Sequence, residues 1–128
     1  MHDPNRTHSA ADLPLILLAS DEPRLADHLH LALREQSLTV ELAPGYPQVE
    51  ALAEAHAKAI VLLEVSRHQS AEAAVELALR LKRSNAARFV GYLADRILQS
   101  SGLAGDGIFS RKPEHLAEAL QDHFRKLR

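Results

Sequence analysis

Five short aliphatic runs constrain this chain more than any other feature. They read "LPLILLA" (13–19), "LTVELA" (38–43), "AIVLLEV" (59–65), "RFVGYLA" (88–94) and "GIFS" (107–110). Most are apolar at consecutive positions, so both faces of each strand must be covered, as in a buried parallel sheet. The stretches between them are rich in Ala, Leu, Glu and Arg and favour helix. The order is therefore βαβαβαβαβα. It predicts an α/β fold: a three-layer, doubly wound, five-stranded parallel sheet with helices on each side.

The intervening segments carry helix signatures of their own. Leu116, Leu120, Phe124 and Leu127 form one apolar stripe on a last helix opened by Pro113 and Glu114. A helix near 70–83 starts at Ser70, a good N-cap, and carries Ala71, Ala74, Val75, Ala78 and Leu79 on one face. The first helix starts near Pro23 and shows Leu25, Leu29, Ala32 and Leu33. The second, near 47–56, shows Val49, Leu52 and Ala53. The fourth, near 95–101, is short and is ended by Gly102 and Gly105. Residues 1–12, "MHDPNRTHSAAD", lack the basic start and apolar centre of a secretory signal and read as a flexible tail. Residues 13–128 then form a single domain, as the length of 128 residues suits.

Composition excludes several function classes. A net charge of −2 gives no basic field for gathering phosphates, which argues against a nucleic-acid partner. The absence of cysteine removes disulfides, thiolate nucleophiles and sulfur-ligated metals, and fits a reducing, cytoplasmic setting. The longest apolar run, 13–19, is too short to span a bilayer, so no membrane partner is expected. The eight histidines do not make a metal site: His28 and His30 point to different helix faces, and His115 and His123 are too far apart in sequence. His68 reads as a solvated loop residue. Ser20, Ser66 and Ser110 have no motif-level base beside them, so no nucleophilic triad is expected. "GLAGDG" (102–107) precedes a strand instead of following one, which disqualifies it as a phosphate loop.

In an open parallel sheet, ligands bind beyond the C-terminal ends of the strands. The first strand delivers Ser20, Asp21 and Glu22 to that edge. The third delivers Glu64, the fourth Ala94 and Asp95, and the fifth Lys112 with Pro113. "SDEP" also reads as a helix start, with Ser20 or Asp21 as N-cap, a role compatible with pocket membership.

These landmarks, "LILLASDEPRL" (15–25), "AIVLLEVS" (59–66) and "GIFSRKPEHL" (107–116), resemble the receiver domain of bacterial response regulators over nearly everything after residue 12. The resemblance implies a flavodoxin-like sheet of order 2-1-3-4-5. It also implies a signal-transduction role in a two-component, phosphorelay-type system, without enzyme activity of its own. The family's phosphoacceptor aspartate corresponds to Glu64, and its adjacent acid pair to Ser20 and Asp21, with Glu22 following. Its strand-end Ser or Thr corresponds to Ala94, its aromatic switch to Phe109, and its Lys-Pro pair, usually joined by a cis bond, to Lys112 and Pro113.

Each departure from the family pattern weakens phosphotransfer. Ser20 removes a charge that helps hold Mg²⁺, leaving weak binding through Asp21 and Glu64 at most. Glu64 is one methylene longer than aspartate, which displaces its oxygens by roughly 1.5 Å from the reactive place. Ala94 has no hydroxyl to grip a phosphoryl oxygen. Glu64 instead supplies about one negative charge, against ~2 for a phosphate, with Lys112 as its expected counter-ion. The reading is a pseudo-receiver that works by protein–protein contact, independent of phosphorylation and without a cofactor. Its partner would be another signalling protein, such as a histidine kinase or an output protein, or a second copy through the 95–127 face. Ile97, Leu98, Leu103 and Phe109 are candidate contributors there. With the chain ending at Arg128, the signal is expected to pass through another molecule. Two alternatives stand beside it: a receiver still phosphorylated at Glu64 or Asp95, and a doubly wound domain binding a small molecule, which five aromatics support poorly.

Overall fold

A computed structural model describes residues 15–66, 69–94 and 106–126, with the side chains of 124–126 excepted. The flexible tail expected at 1–12, the fourth helix near 95–101, His68, Asp95, Ile97, Leu98 and Leu103, and the side chains of Phe124 and Leu127, lie outside the described residues.

Five parallel strands form one sheet: β1 (Ile16–Ala19), β2 (Val40–Ala43), β3 (Ile60–Glu64), β4 (Val90–Leu93) and β5 (Gly107–Phe109). Their order is β2-β1-β3-β4-β5, the doubly wound order expected. The central strands β1, β3 and β4 are buried at every position, which is why they read as unbroken apolar runs. Alternation divides their side chains between two cores. Leu17, Ala19, Val61, Leu63 and Tyr92 meet helices α2 (Val49–Ala55) and α3 (Ala71–Ser84). Ile16, Leu18, Ile60, Leu62 and Leu93 meet α1 (Pro23–Glu35) and the C-terminal helix (Pro113–Lys126). At Gly91 the second core closes tightly: an added Cβ would lie 2.9 Å from Phe109 and 3.2 Å from Leu62, so only glycine fits against that ring.

The helices depart from expectation in two places. In α3 the buried stripe is Ala74, Leu77, Ala78 and Leu81, the i, i+3, i+4, i+7 pattern of one helix face. Leu79 lies about 100° off that stripe and is exposed. The N-cap of α1 is Glu22, not Ser20 or Asp21, and its side chain makes no capping bond. Ser70 does cap α3, accepting a bond from the Ala73 N–H at 3.1 Å.

Arg88, which the sequence suggests as a strand residue, precedes β4 and is buried at the opposite sheet edge from Glu64. Its guanidinium donates to the carbonyls of Ala53 (3.0 Å), His56 (3.2 Å) and Ala59 (3.0 Å), closing the C-terminal end of α2.

Candidate functional site

Parallel register brings the strand tips together. Ala19 of β1 pairs with Leu63 of β3, so Ser20 and Glu64 stand level at the C-terminal edge. Glu64 is 0% exposed, an unusual place for a carboxylate. Its burial is matched by partners. The Ser20 hydroxyl donates to Oε1. Arg111 donates to Oε2 through Nε at 2.9 Å, with Nη2 at 2.8 Å from the same oxygen. Nη2 also reaches Glu22 Oε1 at 2.9 Å.

The backbone of Glu64 is held too. Its carbonyl accepts from the Tyr46 hydroxyl at 2.6 Å and from Gln69 Nε2 at 3.1 Å. Gln69 and Ser66 close the loop after β3 on itself: the Gln69 N–H donates to Ser66 Oγ, and the Ser66 N–H to the Gln69 carbonyl. Ser66 Oγ in turn donates to Asp21 Oδ1 at 3.1 Å. Burial, and then the carboxylates of Glu64 and Asp21, raise the Tyr46 pKa, so its hydroxyl keeps the proton it donates.

The counter-ion expected at Lys112 is Arg111 instead. Strand alternation is the reason. Glu64 pairs with Leu93, and Leu93 with Phe109, so the next β5-side residue on that face is 111. Lys112 falls on the opposite parity and is exposed, with its N–H bonded to Ser110 Oγ. The Lys112–Pro113 bond, expected cis, is trans, and Pro113 opens the C-terminal helix. The same parity argument places Phe109. It packs on the α1 side with Leu93, while Ile108 packs with Tyr92 on the other face, the one Ala94 shares. Ala94 itself is buried and donates its N–H to the Phe109 carbonyl.

The pocket thus assembles Ser20, Asp21, Glu22 and Glu64 as expected, around an arginine that was not. Oxygens of Asp21, Glu22 and Glu64 lie within 4.8 Å of one another, and these are the residues that could hold a cation. Glu22 and Glu64 already share one guanidinium nitrogen.

No protein-family model matches this sequence, and no curated protein does either. Solved structures match in fold. A response regulator from Thermotoga maritima aligns with a TM-score of 0.74 at 14% identity, over 88% of this chain and 98% of that one. The response regulator TrrA from the same organism, in complex with Mg²⁺ and BeF, gives 0.69 at 20% identity over 91% and 100%. A CheY-like receiver domain protein from Methanospirillum hungatei gives 0.69 at 15% identity over 90% and 96%. This is the receiver-domain fold.

Within the receiver fold, the tip of the third strand carries a glutamate whose proton affinity is altered by its surroundings. Burial raises the Glu64 pKa, the bonds from Ser20 and Arg111 oppose the rise, and Glu22 adds to it. The net shift is upward from the ordinary 4.5. The folded protein therefore holds this proton to higher pH than the unfolded chain. The resulting stability is fully present below 4.5 and is lost as pH rises through the folded value. We expect Glu64→Gln to abolish this contribution. Urea unfolding from pH 4.5 upward should show the variant gaining on wild type as pH rises; parallel curves would refute the assignment.

Proposed function

We propose that this chain is a receiver-like signalling domain that acts by protein–protein contact without being phosphorylated. One observation carries the reading: the side chain at the tip of the third strand is a glutamate with both oxygens already engaged, one by Ser20 and the other by Arg111. An attacking carboxylate needs a free oxygen aligned with the incoming phosphorus. TrrA was solved in complex with Mg²⁺ and BeF; in this chain the carboxylates at the strand tips are joined by an internal ion pair. Ala94 adds no hydroxyl for a phosphoryl group to draw in.

The partner in this reading is another signalling protein, a histidine kinase or an output protein among the candidates, or a second copy of the chain. The residues that resemblance brings to the contact face include Phe109, half-buried on β5. No helix among the described residues is long and apolar enough to cross a membrane.

Incubation with acetyl phosphate and Mg²⁺, followed by intact mass measurement, tests the proposal. The expected spectrum shows the unmodified chain alone. A stoichiometric gain of one phosphate would restore the phosphorylated alternative, and peptide mapping would then say whether Glu64 or Asp95 carries it.

A further inference from the structure

The carboxylates at the strand tips form the kind of cluster in which receiver domains hold a divalent ion, and the residues present do not fit one. Mg²⁺ requires near-octahedral oxygen ligands about 2.1 Å away. The centre of this cluster is spanned by a nitrogen: Arg111 Nη2 lies 2.9 Å from Glu22 Oε1 and 2.8 Å from Glu64 Oε2. Nε adds a second bond to the same Glu64 oxygen, and the other oxygen of Glu64 takes the Ser20 hydroxyl. Both carboxylates thus spend their inward lone pairs on N–H and O–H donors, at separations well beyond metal–oxygen distance. Position 20 contributes a neutral hydroxyl in place of a third strand-end anion.

Resting on the reading that this pocket takes up no phosphate, we infer that the Arg111 guanidinium is a built-in replacement for the divalent cation. A guanidinium stays protonated at every physiological pH and is offered by the chain itself, so the pocket's positive charge is permanent and does not depend on an ion. It ties together the two segments a shared ion would tie, the loop after β1 through Glu22 and the tip of β3 through Glu64, and joins both to the loop after β5. A +1 charge within hydrogen-bond distance of the ligand oxygens also repels any 2+ ion that approaches them. The sequence consequence is specific. Removing Arg111 leaves Asp21, Glu22 and Glu64 within 4.8 Å of one another with no internal cation, which converts the pocket into a divalent-cation site.

The test is Mn²⁺ binding to the full chain, read by the relaxation of water protons. Wild type should show no site-bound Mn²⁺ into the millimolar range. Arg111→Ala should bind at least about thirtyfold more tightly, the factor that one unit charge near a divalent ion produces even in a water-like dielectric. Should Arg111→Ala fail to fold, Arg111→Gln, which keeps an amide donor against Glu64, decides in its place. Wild type binding as tightly as the variant would overturn the inference, and so would the absence of any gain in the folded variant. Neither result bears on phosphate uptake: a wild type that takes phosphate from acetyl phosphate fails the functional reading, while the Mn²⁺ titration alone judges the role of Arg111.

Discussion

Arg88→Ala should lower stability by about 3 kcal/mol and the midpoint of thermal unfolding by about 10 °C. Arg88 is buried, and burial pushes its pKa down, yet an arginine so far above neutrality stays charged. That charge is matched entirely by backbone carbonyls. Ala53 and His56 lie at the end of α2 and Ala59 leads into β3; the first two carbonyls also accept from the backbone N–H groups of His56 and Ala59, and Arg88 occupies their second lone pairs. Truncation removes three charge-assisted hydrogen bonds at once, together with the cation that faces the negative end of a short helix. Arg88→Met keeps most of the apolar stem and none of the donors. It should cost nearly as much as alanine, because hydrogen bonds and not packing set the size of the effect. Chemical denaturation of the three proteins measures this. A loss below about 1 kcal/mol for both variants would mean that water replaces the guanidinium without penalty.

The contrast between Arg88 and Leu17 shows which parts of the fold are legible in sequence. Leu17 sits in a run of apolar residues whose burial follows from period alone, and the sheet order follows from such runs plus chirality. Arg88 stands at the head of another apolar run and reads as its first residue, because its three acceptors lie 29 to 35 positions away. Nothing local announces them. Tyr46 is hidden for the same reason, since it reaches the Glu64 carbonyl from the loop after β2, whereas Gln69 is only five residues from Glu64 but carries no motif that marks its side chain as turned back on the strand. Leu79 and Lys112 are failures of another kind. Both are errors of phase that careful periodicity corrects, since the 74, 77, 78, 81 stripe excludes position 79 and the Glu64, Leu93, Phe109 pairing points to 111. The Lys-Pro pair drew the assignment to Lys112 because a motif matched in sequence, while side-chain direction belonged to its neighbour. The acids of the pocket were found because strand tips converge in any sheet of this topology, whatever the side chains do once there.

The second large effect lies in that pocket. Arg111→Ala should cost about 3–5 kcal/mol at pH 7.5, the range for leaving one partner of a buried pair uncompensated. Glu64 is 0% exposed and Arg111 only 17%, so water admitted by the truncation replaces the lost charge-assisted contacts only in part. Two further measurements separate this cause from simple loss of packing. First, the cost should shrink as pH falls. Without the guanidinium the Glu64 pKa rises further above its already raised value, and protonation then removes the uncompensated charge. Second, Arg111→Ala made in a Glu64→Gln background should cost far less and vary little with pH, since no buried anion is left behind. The coupling between the two positions is then the difference of the two costs, and it should be of the order of 2 kcal/mol or more at pH 7.5. An additive pair, with equal costs in both backgrounds, would show that the two charges lie side by side without depending on each other. A coupled pair would show that the glutamate is tolerated at the end of a buried strand because the arginine one face-step beyond β5 reaches back to meet it.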